Sequence, residues 1–365
     1  QDPVFDVNLV RRLMISAVGI YLALRRELKA RDIRLMYVFN GRYATHRAVL
    51  RACQAEDVEC LVHDRGFDKD HYHLYRNQMM HEIAPRVQEI REYWDAAEPN
   101  RREQIAAQFF NNRRAGLIPN WKSYTKEQQK ALLPAGWNPD GRNVAIYVSS
   151  EDEFVAIGPD WKNDLYPEGQ AAAIRKIAQD MVRLDPAVHL WVRVHPNLKG
   201  VDNPFTRDMA NISGVNVTII PADSPVDTYA LLDACEKVVT FGSTMGIEAV
   251  FWGKPSVLLG KSFYRLRNAC TVPVSHAEAV QAICSVLPRP DSLGALQYGH
   301  YQGSFGTPYS VYHAQDPFEG EYRGLLLGRE FFKATRMPVK KPSPWWQRWW
   351  LWRAKWALTH QVWWP

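Results

Sequence analysis

Short apolar runs alternate with amphipathic stretches along most of the chain, and turn-forming residues end each run. The run 34–40 stops at Asn40-Gly41, residues 45–56 have helical periodicity, and the run 58–63 stops at Asp64-Arg65-Gly66. Strand–helix–strand recurring at about 25-residue spacing is typical of a parallel α/β sheet. The first part of the chain is therefore predicted to hold such a sheet.

A second, more regular series begins after residue 142. The predicted strands are 143–149, 189–194, 215–220, 237–241 and 256–259, and the predicted helices are 168–184, 226–235, 245–252 and 276–286. Alternation this regular predicts a Rossmann-like domain, in which ligands bind beyond the carboxyl ends of the strands.

Between the two series, residues 76–133 are polar and predicted to be mostly helical, and 134–142 contains two Pro and two Gly, which makes it the best linker candidate. A length of 365 residues suggests two domains at ~100–200 residues each. We predict an N-terminal domain over 1–140, a second domain over 141–300, a connecting segment over 301–342 and a tail over 343–365. The chain begins with Gln1 rather than Met, which leaves open whether its start is truncated.

Residues 13–24 are apolar and lie between two Arg pairs. This segment is shorter than the ~20 residues that a membrane span needs. A buried helix over 7–30 is therefore expected.

Composition limits the class of protein. The five cysteines contain no CxxC pair, so neither a disulfide framework nor a zinc site is indicated, and reduced thiols indicate a cytoplasmic protein. The formal charge of +6 suits an anionic substrate or a membrane surface.

Much of that positive charge lies in the tail. Residues 336–365 hold eight of the fourteen tryptophans and several Lys and Arg, with no acid. Trp favours the headgroup boundary of a bilayer, and basic residues favour anionic lipids. We predict a peripheral anchor on the inner membrane, with the following contact residues on an amphipathic helix: Trp345, Trp346, Trp349, Trp350, Trp352 and Trp356. A helix packed on the protein itself is the alternative.

Two polar clusters follow predicted strands of the second series. His195-Pro196-Asn197 ends one strand, where an imidazole can donate to a phosphate oxygen and Arg193 can add charge. Pro and Asn are also ordinary turn residues.

The second cluster is Gly242-Ser243-Thr244, at the start of the predicted helix 245–252. Free N–H groups at a helix start bind anions, and the two hydroxyls add donors. Gly246 is expected to let the backbone approach a ligand, and Glu248, one turn further along, to accept ribose hydroxyls. An ordinary helix cap with a surface Glu is the alternative.

The stretch 147–260 resembles the nucleotide-binding half of bacterial capsular-polysaccharide glycosyltransferases. Its His-Pro and Ser-Thr elements are similar to those of GT-B sialyltransferases and Kdo transferases, which use CMP-sugars and hold the donor phosphate with these residues. The matching positions here are His195, Pro196, Ser243 and Thr244. The resemblance implies a GT-B-like α/β fold, with two Rossmann-like domains facing a cleft, plus the helical tail.

The same resemblance suggests roles for loops on both sides of that cleft. Ser149 and Ser150 fit the donor phosphates, whereas the acids that follow them suit an acceptor or a Lys. The N-terminal domain should hold the acceptor, near Asn40, Arg42 and Arg65. Asp64 is the predicted catalytic acid, either as the base of an inverting reaction or as the nucleophile of a retaining one. An Asp-Gly turn is the plain alternative.

The resulting hypothesis is a metal-independent GT-B glycosyltransferase without a cofactor. It would move a sugar from a nucleotide sugar, with a CMP-sugar such as CMP-Kdo implied by the resemblance, to a surface-polysaccharide or lipid-linked glycan acceptor. No nucleic-acid partner is expected. The alternatives are a nucleotide-sugar epimerase, a polyol-phosphate transferase, or a non-catalytic partner in polysaccharide assembly.

Overall fold

The structure is a computed structural model that describes residues 6–117, 125–151, 157–265, 269–315 and 319–328. Its contacts divide the chain into two compact units, residues 1–308 and 309–365. The predicted linker 134–142 lies inside the first unit. The predicted tail, including all six tryptophans proposed to contact the membrane, lies outside the described residues.

The first sheet begins with the β–α–β arrangement that the pattern predicts. Its elements are α1 (Val7–Ala30), β1 (Leu35–Phe39), α2 (Ala44–Ala55), β2 (Glu59–Arg65), β3 (His71–Arg76), α3 (Ile83–Ala96) and α4 (Pro99–Arg114). β1 and β2 are parallel, but β3 returns antiparallel to β2, and the late strand β9 (Thr307–Pro308) is antiparallel to β3. The sheet order is β1-β2-β3-β9. β3 was not predicted, and within the described part of 76–133 the helices lie between residues 83 and 114.

The second sheet matches the prediction strand for strand. Its elements are β4 (Arg142–Tyr147), α5 (Gln170–Leu184), β5 (Val188–Arg193), α6 (Pro204–Ala210), β6 (Val217–Ile220), α7 (Thr228–Ala234), β7 (Lys237–Thr240), α8 (Met245–Phe251), β8 (Ser256–Leu258) and α9 (His276–Cys284). All neighbouring strands are parallel, in the order β6-β5-β4-β7-β8. The chain starts at the middle strand and winds outward in both directions, which places a topological switch point beside β4.

This sheet is buried on both faces. On one face, Ile174, Ile177 and Met181 of α5 are completely buried against Val144 and Val192 of β4 and β5. The spacing of i, i+3 and i+7 puts these three side chains on one stripe of the helix. The resulting core fixes the strand ends, from which the polar loops project.

α10 (Leu293–Gln302) was not predicted, and it fixes the position of α4. It packs against both α3 and α4. A Cβ atom on Gly299 would lie 2.5 Å from Phe110 and 3.1 Å from the Ala106 carbonyl oxygen of α4. The two helix backbones therefore approach closely only because residue 299 is glycine. In the second unit, three short antiparallel strands follow: β10 (Tyr312–Ala314), β11 (Gly320–Tyr322) and β12 (Leu325–Leu327).

The structure corrects the expectation of a buried helix near the N-terminus. α1 has the predicted bounds, but Leu28 is its single buried residue. The inner side packs through Tyr21 and Leu24 on the core beneath α2, whereas Met14 and Val18 are 61% and 48% exposed. By length and composition alone, α1 is the one helix of the described residues that could cross a membrane, with a mean hydropathy of 1.5 over 18 residues. The 12-residue apolar segment thus underestimates the apolar length of the helix.

Candidate functional site

His195 begins a single 3₁₀ turn, Pro196–Leu198, at the carboxyl end of β5. Its Nδ1 accepts a hydrogen bond from the Asn197 backbone N–H at 3.1 Å. In a neutral ring, Nε2 must then carry the proton, because Nδ1 supplies a lone pair. Burial, together with Arg193 and Arg113, lowers the pKa of His195. The ring is therefore held as a neutral Nε2–H donor at neutral pH.

The loop after β4 supports this turn. The Ser150 hydroxyl and the Asn197 side-chain amide hydrogen-bond to each other, with 3.0 Å between Oγ and Nδ2. The backbone of Ser149 is fixed by a pair of hydrogen bonds with the Gln170 side chain. The Ser149 hydroxyl is buried and has no hydrogen-bond partner among the residues that the structure describes. Both serines thus lie in the predicted loop, and the Ser150 hydroxyl holds the Asn197 side chain by a hydrogen bond.

Gly242, Ser243 and Thr244 connect β7 to α8. Gly242 has a φ of +134°, a conformation that side chains rarely adopt. The Ser243 hydroxyl lies 3.4 Å from the Met245 backbone N–H, and Thr244 is the residue before the helix. The expectation for Gly246 is wrong, because a Cβ there would lie 2.6 Å from the Tyr264 hydroxyl. That glycine makes room for protein packing rather than for a ligand.

The structure also corrects the role predicted for Glu248. Its side chain is completely buried and does not lie open to a ribose. One carboxylate oxygen accepts from Arg113 Nε at 2.9 Å and from the Thr244 hydroxyl at 3.0 Å, and the other accepts from the Tyr229 hydroxyl. A buried carboxylate needs such partners to remain charged. Glu248 therefore organises its neighbours instead of meeting solvent.

These groups surround one cleft at the carboxyl ends of β4, β5 and β7. Its lining includes Arg113, Arg193, His195, Ser243 and Thr244. The structure thus brings together the two clusters that the sequence places on separate strands. Sequence analysis missed Arg113, from α4, and also Gln128 and Tyr229, which line the same cleft.

Arg193 lines the cleft with a guanidinium that is mostly committed to backbone. Nη1 and Nη2 donate to the carbonyl oxygens of Pro221 and Ser224, the latter at 3.1 Å. Nε is buried and, within the described part of the chain, has no hydrogen-bond partner. Burial lowers the pKa of Arg193, but an arginine stays charged in proteins. Its positive charge suits an anion, whereas the charge of Arg113 is balanced by Glu248.

Asp64 lies at the end of β2 and is 7% exposed. One oxygen accepts from the Asn40 side-chain amide at 2.7 Å and the other from the Arg65 backbone N–H at 2.8 Å. Asn40 has a φ of +60°, a left-handed conformation that is uncommon outside glycine and is found at functional sites. The two strand ends proposed from the sequence are therefore joined by a direct hydrogen bond.

Two arginines lie next to the Asn40–Asp64 pair along the chain. Arg42 is half-buried next to Asn40, whereas Arg65 is exposed. Burial, together with Arg42, lowers the pKa of His81 to about 4, and Asp64 acts in the opposite direction. Of the predicted acceptor-side residues, Asn40 and Arg65 therefore contact Asp64, the first through its side chain and the second through its backbone N–H.

A larger cavity of about 480 Å³ opens beside the loop that follows β4, with the following residues in its walls: Glu151, Trp161, Tyr166, Gln170, Phe241 and Lys261. Its volume is in the range of small-molecule pockets. The Trp161 indole N–H donates to the His81 carbonyl oxygen at 2.7 Å, which ties this wall to the first sheet. The aromatic walls can hold a sugar ring or a base by stacking.

Within the described residues, no group of three or more His, Cys, Asp and Glu side chains could hold a metal ion.

Comparison with known proteins agrees with this geometry. Residues 151–268 match the family model of the capsule polysaccharide biosynthesis proteins. The resemblance of this stretch to capsule polysaccharide biosynthesis proteins is thereby confirmed for the residues that the model matches. No curated protein matches the chain.

Several solved structures are similar at low identity. KpsC of Thermosulfurimonas dismutans, a β-Kdo 2,4-transferase, is 13% identical over 72% of this chain and 78% of that chain, with a TM-score of 0.48. The β-Kdo 2,7-transferase of the same KpsC is 12% identical over 82% and 88%, with a TM-score of 0.39. UDP-GlcNAc 2-epimerase of Methanocaldococcus jannaschii is 10% identical over 77% and 79%, with a TM-score of 0.34. The identity of the donor and the type of reaction must therefore be inferred from the geometry of the site.

Proposed function

We propose that this protein is a glycosyltransferase that binds the phosphate of a nucleotide-sugar donor in the cleft between His195 and Ser243. One observation carries the proposal: two loops from different parallel strands converge on a positively charged cleft at the carboxyl edge of the sheet. Ligands of such sheets bind at that edge. The Nε2–H of His195 and the Ser243 hydroxyl are suitable donors to a leaving phosphate, whose developing charge they would stabilise.

Asp64 is proposed as the catalytic carboxylate. Asn40 and the Arg65 backbone hold it in one orientation, which a general base needs in order to reach an acceptor hydroxyl. In this proposal the acceptor hydroxyl loses its proton to Asp64 as its oxygen attacks the anomeric carbon. The bond from that carbon to the donor phosphate breaks, and the nucleotide leaves with the bonding electrons. Arg42 and Arg65 are proposed to contact the acceptor.

A CMP-sugar, with CMP-Kdo as the first candidate, is the proposed donor, and the proposed acceptor is a surface-polysaccharide or lipid-linked glycan. The resemblance of the His-Pro and Ser-Thr elements supports the choice of CMP. No cofactor and no metal ion are included in this mechanism, since side-chain donors and the charge of Arg193 can stabilise the leaving phosphate.

The test is a thermal-shift panel of CMP, UDP, GDP and CDP on the intact chain and on His195→Ala. We expect a rise in the melting temperature with CMP, and a smaller rise or none in the variant. His189→Ala is the matched control, because His189 lies on the same strand but bonds to Thr218. No response to any nucleotide would contradict the proposal, and a response to UDP alone would favour a UDP-sugar enzyme such as an epimerase.

We also propose that the protein works in the cytoplasm, bound to the inner-membrane surface. The Trp-rich composition of 343–365 supports this proposal, and α1 supports it independently. The exposed side of α1 carries Met14, Val18 and Leu22, one turn apart. Arg11, Arg12 and Arg26 are exposed at the two ends of this apolar stripe, and Arg side chains at such positions complement anionic headgroups. The same arginines would repel each other if two copies met through α1.

Sedimentation with vesicles of anionic or neutral phospholipid tests both segments. We expect the intact chain to pellet with anionic vesicles, and less of it to pellet when residues 343–365 are removed or when Met14, Val18 and Leu22 are changed to Ser. The control is a variant with Val215→Ser and Val286→Ser, two residues that are 88% and 85% exposed elsewhere. If either altered segment leaves pelleting unchanged, that segment is not an anchor. A change in oligomeric state would indicate a second copy on α1.

A further inference from the structure

Arg113 enters the cleft from outside the part of the chain that matches the capsule family. It lies in the last turn of α4, whereas the match covers residues 151–268. Its position depends on α10, which holds α4 through the Gly299–Phe110 contact. A side chain from the first half of the chain thus reaches the loop between β7 and α8.

Three side chains form a closed set of hydrogen bonds at this point. Arg113 Nε donates to Glu248 at 2.9 Å, and Arg113 Nη2 donates to the Thr244 hydroxyl oxygen at 2.9 Å. The Thr244 hydroxyl in turn donates to Glu248 at 3.0 Å. Each contact constrains the other two, so the guanidinium plane has one orientation. Tyr229 occupies the remaining oxygen of Glu248.

The charges in this set are matched. Burial acts against the charged form of Arg113, but the nearby carboxylate of Glu248 outweighs it, and the pKa of Arg113 is raised. Two of its nitrogens are used by protein groups, and Nη1 has no hydrogen-bond partner among the described residues. Arg113 lines the same cleft as His195 and Ser243. The set therefore holds the Arg113 guanidinium in one position and leaves its Nη1 able to donate hydrogen bonds to a ligand.

We propose that Arg113 binds the phosphate of the nucleotide-sugar donor and that Glu248 is a positioning residue that holds it for this role. This inference rests on the proposed function and identifies a further phosphate ligand. Arg is suited to the task because its planar fork keeps its charge when buried and matches phosphate oxygens. Glu248 acts through Arg113 rather than by touching the nucleotide.

If the Arg113–Glu248 pair only stabilised the contact between α4 and α8, a different result would be expected. Such a pair would affect stability but would not distinguish a nucleotide from its nucleoside, because both have the same base and ribose. The comparison of CMP with cytidine, and of UDP with uridine, therefore isolates the phosphate contact.

The experiment is isothermal titration of the intact chain and its variants with these four compounds. We expect Arg113→Ala to weaken nucleotide binding by about 10- to 100-fold, as for the loss of a hydrogen bond to a charged group, and to leave nucleoside binding unchanged. Arg113→Lys should recover part of the loss. The control is Arg101→Ala, at an exposed position near the other end of α4, and it should bind as the intact chain does.

Removing Arg113 alone leaves the buried Glu248 without its charge partner, which is strongly destabilising. The double variant Arg113→Ala/Glu248→Gln removes both charges and provides a folded comparison. If it binds CMP or UDP as tightly as the intact chain, the role of Arg113 is overturned while the proposed function stands. If the intact chain binds no nucleotide, the proposed function itself fails. Glu248→Gln alone should weaken nucleotide binding less than Arg113→Ala, and equal losses of nucleotide and nucleoside would show a structural role.

Discussion

The two sheets of the first unit differ in how completely they are covered. The second sheet has five parallel strands, and helices cover both of its faces with completely buried side chains. Examples are Ile177 of α5 on one face and Leu231 of α7 on the other. The first sheet ends at β1, where Leu35, Tyr37 and Phe39 are 41%, 61% and 53% exposed. Open strand edges and exposed apolar rows are features that proteins usually cover. Both faces of the second sheet are thus covered, whereas the first sheet leaves an apolar row on β1 exposed.

The difference extends to the polar residues. In the second sheet, the loops after β5 and β7 face one cleft and share it with Arg113. In the first sheet, Asp64 and Asn40 are bonded to each other at adjacent strand ends. The proposed division of labour follows from this contrast, with donor binding on the complete sheet and the catalytic carboxylate on the open one.

The largest effect that would test this division is expected at Asp64. Asp64→Asn keeps the size of the side chain but removes the base, and transfer should fall by about 10²–10⁴-fold. Nucleotide binding should be unchanged, because the donor cleft belongs to the other sheet. The measurements are nucleotide release with the donor that the binding panel selects, and titration with its nucleotide.

Asp57→Asn provides the control for this variant. Asp57 is exposed near the opposite end of β2, so its replacement should leave transfer unchanged. Transfer by Asp64→Asn at the rate of the intact chain would remove the catalytic role from Asp64. A loss of nucleotide binding instead would place Asp64 with the donor.

Hydrophobic periodicity predicted most of the fold, because parallel strands buried on both faces form continuous apolar runs. β4, β5, β6, β7 and β8 were found in this way. β3 was not, since its sequence HYHLYR is polar on a half-buried surface and lies next to a charged helical stretch. α10 has only weak amphipathicity and was also missed. α1 was predicted as a helix, but its apolar character did not reveal which side packs.

The candidate site was predictable where a motif and a strand end coincide. His195, Ser243 and Thr244 converge as expected, because carboxyl ends of parallel strands meet at one edge. Arg113 could not be found, since nothing in the sequence distinguishes it from Arg114. The burial of Glu248 was also hidden, because it depends on Arg113 and Tyr229. The sequence pattern does not indicate contacts between segments that are far apart along the chain.

The second prediction compares the helices that pack on the two sheets. Ile177→Ala on α5 should lower the free energy of unfolding by about 2–5 kcal/mol, because it opens a cavity in a sealed core. Val18→Ala on the exposed side of α1 should change it by less than about 0.5 kcal/mol. Denaturant midpoints of both variants measure the difference. An equal cost would mean that α1 is buried in solution, against a second copy or another partner.

The smallest expected effect concerns acid stability on the first sheet. Burial, together with Arg42, lowers the pKa of His81 to about 4, and no described residue forms a hydrogen bond with its Nδ1. The unfolded chain protonates this ring near its ordinary value of about 6.5, whereas the folded chain does so only near 4. The stability that neutral His81 contributes is therefore present above pH 6.5 and is lost as the pH falls toward 4. Between pH 7 and pH 5 the loss should be about 1–2 kcal/mol.

His81→Gln should reduce this pH dependence in thermal unfolding, while His313→Gln, at an exposed position, should leave it unchanged. An identical pH dependence in His81→Gln would show that His81 is solvated in solution, and that the surroundings of Asp64 are more open than the contacts of the first sheet indicate.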